Sequence, residues 1–252
     1  MPTGASRNLS IFSGKKSNMI GSRGKANYEV ELAKARLEAL KVRMNPHFIA
    51  NTLTSIRSML FNDRKDDAIE YLTLFAKLIR TTLENASKDY ITLASELHYI
   101  RNYLDIEELR FAGKFTTRIV FSESLIPIDL IVPPSIFQPF IENAINHGLM
   151  HRTQGGKLLV EFKPDGSLLK CIIEDNGVGR QKAKEIENRS LISHSSLSED
   201  ITRERINLLN KINATKEYSI DTIDLSDNNG NPCGTRVEVK IPLQSIYKGD
   251  GN

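Results

Sequence analysis

The 252-residue chain reads as α+β: an amphipathic helical part first, then helices and mostly antiparallel strands mixed in one block. Three observations lead there. From Val30 to Leu83 apolar residues recur at steps of three and four, the period of a helix face. From Phe115 to Ile241 short apolar runs are punctuated by turn signals such as Pro164-Asp165-Gly166. A composition of 40% apolar and 26% charged residues suits one large or two modest folded domains.

The elements follow in order. Residues 1–26, with Gly4, Gly14, Gly21 and Gly24 among Ser, Lys and Asn, read as a disordered segment or linker. Val30, Ala33, Leu37, Leu40 and Met44 form a short heptad seam. Pro46 interrupts it. A new stripe, Ile49, Leu53, Ile56 and Leu60, then begins, with His47 roughly 200° away from Ile49 at ~100° per residue. His47, Asn51, Thr54 and Ser58 share the polar face. After a break at Phe61–Asp67, a second helix carries Ile69, Leu72, Phe75, Leu78, Ile79 and Leu83. The pair makes a hairpin with more apolar surface than it can bury alone, which predicts a homodimeric four-helix bundle.

Beyond a polar break at Ala86–Tyr90, Thr92 and Glu96 mark the start of a helix that runs to about Arg110. Phe115–Phe121 alternates as a strand. Pro133 and Pro134 suit the first turn of a helix carrying Ile136, Phe137, Phe140, Ile141, Ala144 and Ile145, with Gly148 at its end. Leu158–Phe162 and Leu168–Ile173 form a hairpin. A glycine-bearing loop, a Ser-rich segment at 190–198, a helix near Ile201–Ile212 and strands near Ser219–Leu225 and Thr235–Ile241 complete the chain.

Several classes drop out. Two cysteines, Cys171 and Cys233, support neither a disulfide framework nor a four-thiolate zinc site. No apolar run approaches the ~18 residues of a membrane span, and the N-terminus lacks the apolar core of a signal peptide. The net charge of +3 is lopsided: residues 1–45 carry nine Lys/Arg against three Glu, +6, and the remainder 25 against 28, −3. A basic head of this kind suits nucleic acid, an anionic membrane surface or a solvated tail.

Two constellations carry chemistry. Glu142-Asn143 and His147 lie on one helix, with Asn143 and His147 at i, i+4 on one face. A carboxylate, an amide oxygen and an imidazole there suit a hydrated Mg²⁺ and polyphosphate oxygens, or a plain polar stripe. Asp175-Asn176-Gly177-Val178-Gly179 follows directly on a strand. Its glycines allow close backbone approach, and its carboxylate can accept from an exocyclic amine. An ordinary Asp-Asn-Gly turn would read the same way.

Taken together, about 30 residues apart and followed by Gly234-Thr235, these segments resemble the GHKL superfamily of histidine kinases and gyrase-type ATPases. Asn45-Pro46-His47-Phe48-Ile49-Ala50-Asn51 resembles the phosphoacceptor signature of LytS/YehU-type sensor histidine kinases. Asn102-Tyr103-Leu104-Asp105-Ile106-Glu107, Leu109-Arg110-Phe111 and Pro133-Pro134 through Asn143-Ala144 resemble the same family's body, so the likeness covers roughly residues 30–243.

The resemblance implies a dimerisation and phosphoacceptor hairpin over 27–88, a Bergerat-type ATP-binding α/β sandwich over 89–245 and a tail over 246–252. It implies His47 as phosphoacceptor, Asn143 as Mg²⁺ ligand, and His147 and Arg205 on the phosphate side, Arg205 being the weaker candidate. Glu142 would be a general base or an orienter of the imidazole, and Asn51 would orient a water for dephosphorylation of a response regulator. Asp175 would meet the adenine amine, Gly177 and Gly179 would shape the nucleotide floor, and Gly234-Thr235 would form the last glycine motif.

ATP and Mg²⁺ follow as cofactors. The expected partners are a second copy and a response regulator, expected to carry a LytTR-type DNA-binding domain, with no direct nucleic acid. The implied location is cytoplasmic, at the inner membrane face if the basic head is a juxtamembrane segment. Two departures stand out: Ser195–Asp200 has no glycine where the family's lid carries one, and Ala50 replaces an aromatic. A non-catalytic signalling scaffold and a nucleic-acid-associated ATPase are the competing readings.

Overall fold

The computed structural model of the chain describes residues 46–111, 113–153, 155–189 and 197–245. The basic head, the heptad seam, most of the Ser-rich segment and the tail lie outside them.

Helix α1 (Pro46–Phe61) and helix α2 (Lys65–Ala86) are joined by a three-residue turn with Asp63 at φ 56°. Both lean on α3 (Leu93–Phe111). On α1 the inward residues are Phe48, Thr52 and Met59. Phe48 packs between Phe75 of α2 and Tyr103 of α3, with ring centroids 5.9 and 5.6 Å away. The hairpin leaves apolar surface uncovered, as its sequence predicts: Leu53 (58% exposed) and Leu60 of the α1 stripe face outward, as do Ile69, Leu72 and Leu83 of α2, while Ile56 packs against the core. Phe48 reaches α3 through Tyr103 and Thr52 faces Tyr71 of α2, which leaves the Leu53–Leu60 face uncovered.

Thr92 caps α3, its Oγ1 accepting the Ser95 amide at 3.1 Å. A five-stranded sheet follows, ordered β2 (Phe115–Phe121), β4 (Gly156–Asp165), β5 (Leu168–Asp175), β7 (Pro232–Pro242), β6 (Ser219–Ser226). Only the β2–β4 pair is parallel. The β4–β5 turn is Gly166-Ser167, with Gly166 at φ 64°. A small sheet, β1 (Ile91–Thr92), β3 (Leu130–Val132) and β8 (Gln244–Ser245), has no signal in the sequence, because strands of two or three residues exist only through their non-local partners.

The large sheet is half-buried, and its two faces read differently. Leu169, Cys171 and Ile173 of β5 point inward beside Val160 and Phe162 of β4 and Val237, Val239 and Ile241 of β7. Phe162 stacks on Phe121 and takes the edge of Phe137. The outer face carries cross-strand ion pairs: Lys170–Glu238 (2.6 Å), Arg236–Glu174 (2.6 Å) and Lys240–Asp165 (2.9 Å).

Helix α4 (Gln138–Asn143) continues as a π-helical turn, Ala144–Leu149. It starts five residues later than the proline pair suggested. Pro133 and Pro134 form the preceding turn, and Pro139 is the first-turn proline. Helix α5 (Arg180–Arg189), expected as loop, and helix α6 (Leu197–Ile212) complete the fold. No helix among the described residues is long and apolar enough to cross a membrane.

Candidate functional site

Asp175 ends β5 in phase with the buried row Leu169, Cys171, Ile173, so a carboxylate stands where the strand pattern calls for an apolar side chain. It is 3% exposed. Burial pushes its carboxyl up to about 6, although the Gly177 and Thr235 amides pull it down. Gly177 N donates to Asp175 Oδ1 at 2.7 Å.

Three glycines close around it. A Cβ on Gly148 would stand 2.6 Å from Asp175 Oδ1, one on Gly177 2.5 Å from the Gly148 backbone, and one on Gly234 1.9 Å from the Asp175 carbonyl oxygen. Gly234 also holds φ 146°. Backbone cannot yield there, so Gly234→Ala is expected to cost ~3 kcal/mol or more of stability, read as a lowered midpoint in thermal unfolding. Gly148, read from sequence only as a helix end, is thus part of the site's wall. Asn176 fastens the loop to β4, accepting the Lys157 amide at 2.7 Å and donating to the Gly155 carbonyl at 3.1 Å.

The π turn is a second local device. Met150 N bonds to the Ile145 carbonyl, one residue beyond the α-helical partner. The widened turn leaves Asn143 and His147 both facing a cavity of about 330 Å³. Its floor is Ile173 and Asp175 of β5 with Thr235 and Val237 of β7. Arg180 and Lys184 of α5 line one side, and Glu199 and Asp200 from the first turn of α6 line the other.

Polar bonds cross the mouth. Asn143 Nδ2 donates to Glu199 Oε2 at 3.0 Å, Arg203 Nη2 donates to Glu199 Oε1 at 2.7 Å and to Thr222 Oγ1 at 2.9 Å. Arg180 makes a two-pronged pair with Asp224 at 2.6 and 2.7 Å. Arg180 and Lys184 carry the basic charge at this cavity. The sequence reading missed them because α5 has no apolar periodicity to announce a face.

The structure therefore brings together Asn143, His147, Asp175, Gly177 and Thr235, with Gly234 behind the floor. Gly179, at φ 80°, packs against Pro232 just before α5. Arg205 is a correction. It is buried, donates to the Pro134 carbonyl at 2.9 Å and does not line the cavity, because its position on α6 faces α3 and the turn before α4.

Glu142 is also turned from the cavity. It is buried and accepts from Gln138 Nε2 at 2.6 Å; burial first, and the Glu142 charge after it, raise the hydroxyls of Tyr99 and Tyr103 on α3, Glu107 adding to the rise at Tyr103. Tyr103 in turn touches Phe48, so Glu142 and the first turn of α1 meet the same residue. His47 lies in that first turn, and Asn51 is half-buried one turn on.

The family model described as "Histidine kinase" matches residues 35–115. The chain is 32% identical over 163 residues to the Sensor histidine kinase/phosphatase LytS of Staphylococcus aureus. Over these residues the chain is similar to histidine kinases. The match to LytS takes in 64% of this chain and 27% of that relative, so the chain spans about a quarter of the relative's length. Among solved structures, the histidine kinase domain of a blue-light activated histidine kinase from Erythrobacter litoralis aligns over 87% of this chain and 96% of that one, with 15% identity and a TM-score of 0.42. The mycobacterial sensor histidine kinase MprB aligns over 62% and 99%, with 13% identity and a TM-score of 0.41.

Proposed function

We propose that the chain is a sensor histidine kinase core that binds Mg²⁺·ATP in the α4–α6 cavity and transfers the γ-phosphoryl group to His47. The observation that carries this reading is the buried Asp175 carboxylate at the cavity floor, facing Asn143 and His147 across space for a nucleotide. A buried acceptor inside a glycine cradle suits the exocyclic amine of adenine. An amide, an imidazole and flanking carboxylates suit polyphosphate with a hydrated cation.

Asn143 would hold Mg²⁺, and His147, Arg180 and Lys184 would meet phosphate oxygens. The metal supplies charge neutralisation on the transferring group. The His47 imidazole nitrogen bonds to the γ-phosphorus as the bond to the bridging oxygen breaks, and ADP leaves with that electron pair. Glu142, on the Tyr103 side of α4, orients the imidazole or takes its proton. Phosphotransfer to a response-regulator aspartate follows, the regulator carrying a LytTR-type DNA-binding domain. Asn51 serves the reverse, dephosphorylating direction, an activity printed in the name of LytS.

The test is incubation of the full chain with γ-labelled ATP and Mg²⁺. Acid-labile, base-stable label on the protein supports the reading. Nucleotide binding without label would instead favour a non-catalytic scaffold.

The homodimer has its own support. The outward residues of α2, Ile69, Leu72 and Leu83, repeat at heptad spacing and join Leu53 and Leu60 of α1 in an apolar face that an isolated hairpin leaves in water. Leu53→Glu with Leu72→Glu is expected to convert the dimer to monomer in sedimentation, and a dimer in that variant would remove this face from the interface.

A further inference from the structure

Two charged side chains outside the cavity are buried against a single turn. Glu96 of α3 is 1% exposed and Arg205 of α6 is 7% exposed. Glu96 Oε2 accepts the Ser135 amide at 2.9 Å, and Arg205 Nη2 donates to the carbonyl of Pro134, also at 2.9 Å. The two bonds grip adjacent residues of the turn that leads into α4.

That turn needs a grip. Ser135 holds φ 54°, a conformation costly for any residue with a Cβ. The N-terminal residue of α4, Phe137, supplies no side-chain cap. Glu96 stands in for it from another helix; burial pushes its carboxyl up to about 7, while the amides of Ser135, Phe137 and Ile136 favour its charged form. Arg205 faces the same carboxylate, each influencing the other's charge.

Stability alone does not account for this pair. Glu96 Oε1 and Arg205 Nε have no hydrogen-bond partner, and two buried charges with incomplete bonding are an inefficient source of stability. What the pair delivers is geometry. Helix α6 also holds α4 at a second point, through Glu199 on Asn143.

We propose that Glu96 and Arg205 are positioning residues that clamp the Pro134–Ser135 turn, fix the start of α4 and thereby set Asn143 and His147 at the cavity. The role rests on the nucleotide reading of that cavity. It predicts an asymmetry. Asp175 is placed by sheet register and by Gly177 and Gly234, with only Gly148, at the far end of the π turn, reaching it from the α4 side, so loosening the start of α4 disturbs the Mg²⁺–phosphate end more than the adenine end.

The experiment is calorimetric titration of the full chain with Mg²⁺-free ADP, and with ATP in the presence and absence of Mg²⁺, alongside thermal unfolding. In Arg205→Met the gain in ATP affinity on adding Mg²⁺ is expected to shrink at least fivefold, with Mg²⁺-free ADP affinity within twofold of wild type. Arg205→Lys, which keeps a donor and the charge, is expected to restore part of the gain. The double variant Glu96→Met with Arg205→Met leaves no lone buried charge, so it keeps the fold testable, and it is expected to lose the gain as well. An undiminished Mg²⁺ gain in both Met variants overturns the role, as does an equal weakening of both titrations in step with lost stability. Wild-type protein that binds no nucleotide overturns the cavity reading and this role with it, and is thereby distinguishable from failure of the clamp alone.

Discussion

His47→Gln protein incubated with γ-labelled ATP and Mg²⁺ is expected to carry no label, with a yield below about a thousandth of wild type. Glutamine matches the size and polarity of histidine but offers no nucleophilic nitrogen. Helix α1 is anchored in the core through Phe48, Thr52 and Met59. Nucleotide affinity in this variant is therefore expected to stay within twofold of wild type, which separates lost chemistry from lost binding. An imidazole is nucleophilic only when neutral, and its unperturbed pKa near ~6.5 leaves it largely so at pH 7.5. Label that persists in His47→Gln assigns the phosphoacceptor elsewhere.

Asp175→Asn is expected to weaken ATP and ADP binding by roughly 10- to 100-fold, the cost of replacing a buried charged acceptor. The pH profile gives the same result a sign. The Asp175 carboxyl sits at about 6 because it is buried, so wild-type affinity should be level above about pH 7 and fall as pH drops below about 6. Asp175→Asn should be weak and flat across that range.

Stability runs the other way. An unfolded carboxyl titrates near ~3.9. Between that value and about 6 the native state binds the extra proton, and it loses stability as pH rises through the window. The ionised side chain thus costs the nucleotide-free protein on the order of 3 kcal/mol at neutral pH. Asp175→Asn is expected to be at least as stable as wild type at pH 8 in thermal unfolding. A variant that loses binding because it unfolds would contradict that account.

Much of the site was legible because its signals are local. The spacing of Asn143 and His147 places both at the cavity, even though a π turn replaces the expected α geometry. Gly177 and Gly234 are glycines for the reason the loop pattern suggests, since a Cβ at either would meet backbone. Arg205 was misread because a guanidinium five residues along α6 from the cavity-lining Asp200 gives no local sign of which way it points. Its partners Glu96 and Pro134 are more than 70 residues away in sequence. Arg180 and Lys184 were missed for the converse reason: their helix is mostly polar, with only Ala183 and Ile186 apolar, and the neighbouring Asp224 and the cavity give it a face.

By itself the sequence determined the longer helices and strands, the β4–β5 hairpin and the glycine-lined carboxylate, because period, turn chemistry and backbone sterics act over a few residues. Tertiary structure alone decided which apolar face of α1 is buried, where α4 begins, and which charges line the cavity. Those choices depend on what packs opposite. Tyr103 of α3 takes Phe48 while Leu53 and Leu60 stay exposed, and a carboxylate from that same helix bonds the turn before α4, whose N-cap Phe137 supplies no side-chain bond.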